Sequence, residues 1–196
     1  MKTIRNIILG SVLAVVFALT SANAQAYKYD TIDWGLHTTQ VDWCWGNQPI
    51  MNIDTDTLPE GSAIQQGFFD AVNEWNNNPT HFDFLTNVKK VYYYLKGDAV
   101  VDVLFVDDGN EHLDGAPGVA LMFGVFDCYT DGDILFNEDV TFSETNDKAD
   151  QFEYAAGGNR SFRSLALHEL GHVLGLKHEN EVLGIMGADY HQANVN

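Results

Sequence analysis

Positive charge is scarce in this 196-residue chain: ten lysines and arginines stand against 28 aspartates and glutamates, for a formal net charge of −18. A surface so short of cations repels phosphate backbones, so no nucleic-acid partner is expected. Long apolar runs are lacking too. The one at residues 7–19 is shorter than the roughly 20 residues that a membrane-spanning helix needs, and no second run of that length follows. No membrane anchor is therefore expected, and no cysteine lies close enough behind that run to carry a lipid. Cysteine itself is limited to Cys44 and Cys128. Repeats and low-complexity linkers are absent. What remains is 45% hydrophobic and only 19% charged, which excludes a disordered acidic tail and suits one folded domain.

The N-terminus reads as a targeting segment. Lys2 and Arg5 precede the apolar run, and Ala22-Asn23-Ala24 supplies a small-x-small cleavage site, so residues 1–24 are expected to be a secretory signal. The product is then secreted, extracellular or periplasmic. Removing the signal takes away two cations and no acid, moving the formal charge from −18 to −20. In an exported domain that excess of carboxylate points to solubility, a salty habitat or bound calcium.

The chemistry is concentrated in the run LALHELGHVLGLKH, residues 165–178. His168 and His172 are four apart, so on a helix they project from one face and offer two imidazole nitrogens to one cation. Glu169 follows the first histidine directly, an offset that sets its carboxylate beside a metal rather than on it. There it can serve as general base toward a water whose pKa zinc lowers. Gly175, three residues after His172, suits a helix end that needs positive φ, and the reversal brings back His178 as third ligand. Three protein ligands leave one tetrahedral position open, the mark of a catalytic rather than a structural zinc site. The pentapeptide H-E-x-x-H arises by chance on ordinary amphipathic helices; Gly175 and His178 at their spacings are what set this copy apart.

This extended motif resembles that of the metzincins, H-E-x-x-H-x-x-G-x-x-H followed by a methionine-containing turn, and within them the matrixins. By that resemblance Met186, in Gly184-Ile185-Met186-Gly187, forms an apolar floor beneath the histidines, although on spacing alone it could equally be a core methionine. Tyr190 falls where matrixins carry a tyrosine in the wall of a substrate pocket. Astacins and serralysins instead place a zinc-touching tyrosine two residues after the methionine, where this chain has Ala188. The resemblance implies an α+β fold: a twisted mixed β-sheet with a long N-terminal helix and a zinc-binding active-site helix. It covers roughly residues 48–190. The expected organisation is signal 1–24, a short N-terminal segment 25–47, and a matrixin-like domain 48–196. Six residues after Tyr190 is earlier than matrixins end, so a C-terminal truncation is expected.

Hydrophobic patterning supports that order of elements. Strands are expected at 50–53, 82–85, 91–95, 100–106, 119–126 and 133–136. Ile64, Phe68, Ala71, Val72 and Trp75 recur at helical spacing and predict a helix over 62–76 with one buried stripe. Residues 114–120 resemble the family's calcium-binding loop. Asp114, Asp133 and Glu138, with Asp107, Asp108 and Asp139 nearby, could supply calcium with oxygens, or simply be solvated. Matrixins also carry histidines for a second, structural zinc, whereas this chain shows Leu121, Met122 and Leu135 around those places, so one zinc is expected. His37, His81, His112 and His191 lack any ligand-like spacing.

Two exported cysteines most simply form one disulfide, Cys44 to Cys128. The competing reading makes Cys44 a thiolate cap on the zinc, as in the matrixin propeptide, but the flanking arginine and aspartate of that segment are missing. The function implied is a secreted, monomeric zinc endopeptidase acting on a protein or peptide substrate that lies along the edge near residues 119–123. The alternative is a zinc-containing binding domain that does not cleave, or an inactive fragment of a larger metalloprotease.

Overall fold

The computed structural model describes residues 42–44, 46, 48–77, 83–94, 97–125, 128–143, 160–178 and 185–186. Its elements in chain order are β1 (Asp42–Trp43), β2 (Ile50–Asp54), α1 (Ala63–Asn76), β3 (Leu85–Lys89), β4 (Val101–Val106), β5 (Gly118–Val125), β6 (Cys128–Asn137), β7 (Phe142–Ser143), β8 (Arg160–Ser161) and α2 (Phe162–Val173). The fold is α+β. Among the described residues six strands form one mixed sheet, ordered β1-β6-β4-β2-β3 with β5 on the remaining edge of β6. All its pairings are parallel except β5 with β6. β7 and β8 make a separate short parallel pair.

Alternation along the strands sorts residues between two faces. Met51, Ile53, Val101, Val103, Ile134 and Phe136 point to the side where Phe68 and Ala71 of α1 and Phe162, Leu165 and Leu170 of α2 complete the main core. Leu104 and Leu135 point the other way, covered by Leu113 and Tyr94. Rings gather under the start of α2. Phe162 lies edge-on to Phe136, with centroids 4.7 Å apart, and stacks on Phe105 at 5.5 Å, so the N-terminal end of that helix is set by apolar packing.

α1 starts where Ser62 accepts a hydrogen bond from Gln65 N–H at 3.1 Å, while the Gln65 side chain accepts from Gly61 N–H at 3.0 Å. This exchange satisfies donors that a helix start leaves open. The predicted stripe faces inward: Phe68, Ala71 and Val72 are buried, and the Trp75 indole donates to Leu167 O of α2 at 3.0 Å.

Several strands fall elsewhere than expected. The one expected at 82–85 is β3, and it begins at Leu85, paired with Ile50. No strand occupies 91–94. β2 ends at Asp54, opposite Lys89, and the Asp54 carboxylate takes the Val91 N–H at 2.8 Å. The run of Tyr92, Tyr93 and Tyr94 thus has β-propensity but no neighbouring strand to pair with. β6 is ten residues long instead of the expected four, because its first half pairs with β5 and β1. β1, β7 and β8 were not expected at all.

Cys44 and Cys128 form a disulfide. The thiolate-cap reading of Cys44 is overturned, because a bridged sulfur is no thiolate.

Candidate metal centre

α2 carries the histidines. Ser161 caps it, accepting from Ser164 N–H at 3.3 Å, and the helix runs to Val173. At the far end Leu176 N–H donates to Gly171 O at 3.0 Å and Gly175 N–H to His172 O at 2.8 Å, with Gly175 at φ 82°. These two bonds make a Schellman closure, which needs a left-handed residue at Gly175. The closure turns the chain back so that His178 faces His168 and His172.

The three Nε2 atoms form a nearly equilateral triangle: 3.1 Å from His168 to His178, 3.2 Å from His172 to His168, and 3.2 Å from His172 to His178. Tetrahedral zinc with bonds of 2.0–2.1 Å requires nitrogen pairs roughly 3.3–3.4 Å apart. The donor chemistry agrees with that geometry. His168 Nδ1 lies 2.6 Å from Ile185 O and His172 Nδ1 lies 2.7 Å from Leu176 O. A carbonyl can only accept, so each Nδ1 bears the proton and each Nε2 presents a lone pair. Lone pairs converging at such distances repel unless a cation lies among them. The carbonyls also orient the rings, as partners of metal-bound imidazoles commonly do. Among the described residues these histidines are the only group of three or more ligand-type side chains whose donor atoms converge.

Glu169 is 4% exposed and lines the same cleft as the histidines. Burial pushes its carboxyl up to about 8, against the opposing pull of a hydrogen bond from the Ala120 backbone N–H. The cleft, about 790 Å³ in volume, runs between α2 and β5, with Ala120 and Met122 on one wall and Leu165, Leu176 and Tyr129 among its other lining residues.

Met186 is fully buried. It packs so closely on α2 that a β-carbon on Gly171 would sit 2.3 Å from its sulfur. Gly171 immediately precedes His172, so that sulfur lies against the helix between the two histidine positions. Tyr190 lies outside the described residues.

The acids expected around calcium do not converge with one another. Asp133 is buried in β6 and accepts from Asp102 N–H at 3.1 Å. Asp114 is exposed in a turn at φ 47°, and Glu138 is exposed just beyond β6. Nearby, Asn137 donates to Asp108 at 2.6 Å and Asp139 accepts from Asp108 N–H at 3.2 Å, so those acids serve the loop itself.

Residues 47–196 match the family model for Peptidase M10, matrixin. The chain belongs to the matrixin family. No curated protein matches it significantly. Matrixins are zinc-dependent peptidases, and the three converging imidazoles suit the metal that such a matrixin uses. Sequence reasoning did not find Trp43, whose indole donates to Val173 O at the end of α2 at 3.0 Å. The two residues are 130 positions apart, and no periodicity connects them.

Proposed function

We propose that this matrixin is an exported zinc endopeptidase that hydrolyses peptide bonds with Glu169 as general base. The observation carrying the proposal is the convergence of three Nε2 atoms in the cleft that also holds a buried glutamate. His168, His172 and His178 would hold the zinc. When bound, zinc supplies a Lewis acid that polarises a carbonyl and lowers the pKa of water toward about 7.

The chain's own groups supply the remainder. β5 pairs only with β6 among the described residues, so its other edge is open to an extended peptide that adds as a strand. Glu169 takes a proton from the attacking water and passes it to the departing amine. Its buried carboxyl, held by the Ala120 N–H, favours the protonated form when no cation is near; a dication on the three histidines favours the carboxylate that a base requires. No acyl-enzyme is needed. Met186 acts as the apolar floor of the site and Tyr190 as a wall of the pocket for the residue after the cleaved bond. Export is supported by the character of residues 1–24 and by the disulfide, which suits an oxidising compartment. Among the described residues no helix is long and apolar enough to cross a membrane.

The test is Glu169→Gln, which keeps the side chain's size but cannot accept the proton. Cleavage of a quenched peptide should fall at least about 10²–10⁴-fold with zinc content unchanged, and wild-type cleavage should vanish with chelator. A variant that cleaves as fast as wild type refutes the mechanism. Wild-type protein that holds zinc and cleaves nothing favours a binding domain instead.

A further inference from the structure

The Schellman closure of α2 accounts for the carbonyls of Gly171 and His172, but it leaves that of Val173, the last helical residue, without a partner from the turn. Val173 is fully buried, so water is not at hand for its carbonyl, and a buried acceptor left open costs about 1–3 kcal/mol. Among the described residues the donor is the Trp43 indole, at 3.0 Å, delivered from the opposite end of the chain. Among the described residues Trp43 has little else to hold it by its backbone beyond the bond that its carbonyl accepts from Gly46 N–H at 3.2 Å. β1 is two residues long and, among the described residues, pairs only Asp42 with Cys128 and Trp43 with Tyr129. Its further anchors are the Cys44–Cys128 bridge, the bond from Cys44 N–H to Tyr129 O at 2.8 Å, and the edge-on packing of Trp43 against Tyr129. Each fastens the tryptophan to the start of β6.

We propose that Trp43, moored by the Cys44–Cys128 bridge, is a positioning residue for the metal site: by holding the Val173 carbonyl it fixes the turn that carries the chain from His172 to His178. Val173 lies directly after one ligand and five residues before another. The same turn supplies the Leu176 carbonyl that orients His172. Freed from the indole, the end of α2 can fray, and His178, the only one of the three histidines outside the helix, loses its fixed place. The inference rests on the zinc site proposed above, but not on peptide cleavage.

The experiment measures zinc affinity of the full chain by competition with a chromophoric chelator, for wild type, Trp43→Phe and Trp75→Phe. Trp75 is the control: its indole also donates to an α2 carbonyl, that of Leu167, which by its position inside the helix already accepts from residue 171. Both variants lose an indole hydrogen bond to α2, from a buried ring at Trp43 and a partly buried one at Trp75, so both should melt at lower temperature. Only Trp43→Phe should weaken zinc binding, by about tenfold, within the range seen when groups that orient metal ligands are removed. Wild-type affinity in Trp43→Phe, or equal loss in both variants, overturns the proposal. Should Trp43→Phe fail to fold, Cys44→Ala/Cys128→Ala keeps the indole but removes its mooring, and the same direction of change is expected; unchanged affinity there overturns it as well. A wild-type chain that binds zinc yet cleaves no peptide sinks the peptidase reading alone, because the affinity comparison still decides this one.

Discussion

At the scale of single residues, the metal centre depends on which atoms each side chain has left after its local obligations are met. His168 and His172 each give the Nδ1 proton to a backbone carbonyl, which leaves Nε2 as the ring atom that carries a lone pair. Replacing His172 by Ala removes one corner of the triangle and uncovers the Leu176 carbonyl; metal analysis should fall from about one equivalent of zinc to near none. Unchanged zinc content would take the site away from this helix. A subtler case is Gly171, where an added methyl would meet the buried Met186 sulfur at 2.3 Å. Gly171→Ala should cost about 1–3 kcal/mol of stability, because Met186 is fully enclosed and cannot swing clear. It should also weaken zinc binding, since displacing Met186 shifts its neighbour Ile185, whose carbonyl orients His168. Thermal melting with and without zinc separates the two effects, and a variant that matches wild type in both would show that Met186 has room to move.

At the scale of elements, legibility followed how local the cause was. The active-site helix could be read because its ligands are four and six residues apart and its end is a glycine, so spacing alone carries the geometry. α1 could be read for the same reason, from its stripe of Phe68, Ala71 and Val72, while the structure adds a cap at Ser62. Ser62→Ala should lower stability by about 1 kcal/mol, measurable as a shift in the denaturant midpoint, because the hydroxyl answers the Gln65 N–H. No shift would mean that water replaces the cap without loss. The edge of the sheet was less legible. All five residues of β3 are exposed, so Leu85–Lys89 shows no alternation between a buried and an open face, whereas Tyr92, Tyr93 and Tyr94 look like a strand and are not one. What decides between them is the carboxylate of Asp54, 37 residues from the Val91 N–H it captures. β1 was illegible for a related reason: a two-residue strand has no period, and it exists through a bridge and an indole whose partners lie far along the chain.

At the scale of the molecule, the bridge encloses most of the sheet but not the helix that bears the ligands. Cys44 and Cys128 are 84 positions apart, and between them lie β2, α1, β3, β4 and β5, while α2 comes later in the chain. Closing so long a loop restricts the unfolded chain, an effect of about 4–5 kcal/mol when treated as entropy alone, with measured losses for native bridges commonly about 2–5. A chain carrying −18 formal charges also repels itself when compact, which leaves it more dependent on such a constraint than a neutral domain would be. Cys44→Ala/Cys128→Ala should therefore lower the melting temperature of the zinc-loaded protein, and part of that loss should return as salt screens the carboxylates. Chelator should lower the melting temperature of wild type more than that of the variant, since a chain whose turn from His172 to His178 is less firmly held binds zinc more weakly and gains less stability from it. Melting curves for both proteins, with and without chelator and at two salt concentrations, test the argument. Equal chelator effects in the two would mean that bridge and metal stabilise separate parts of the molecule, and that the N-terminal mooring ends at β6 without reaching the end of α2.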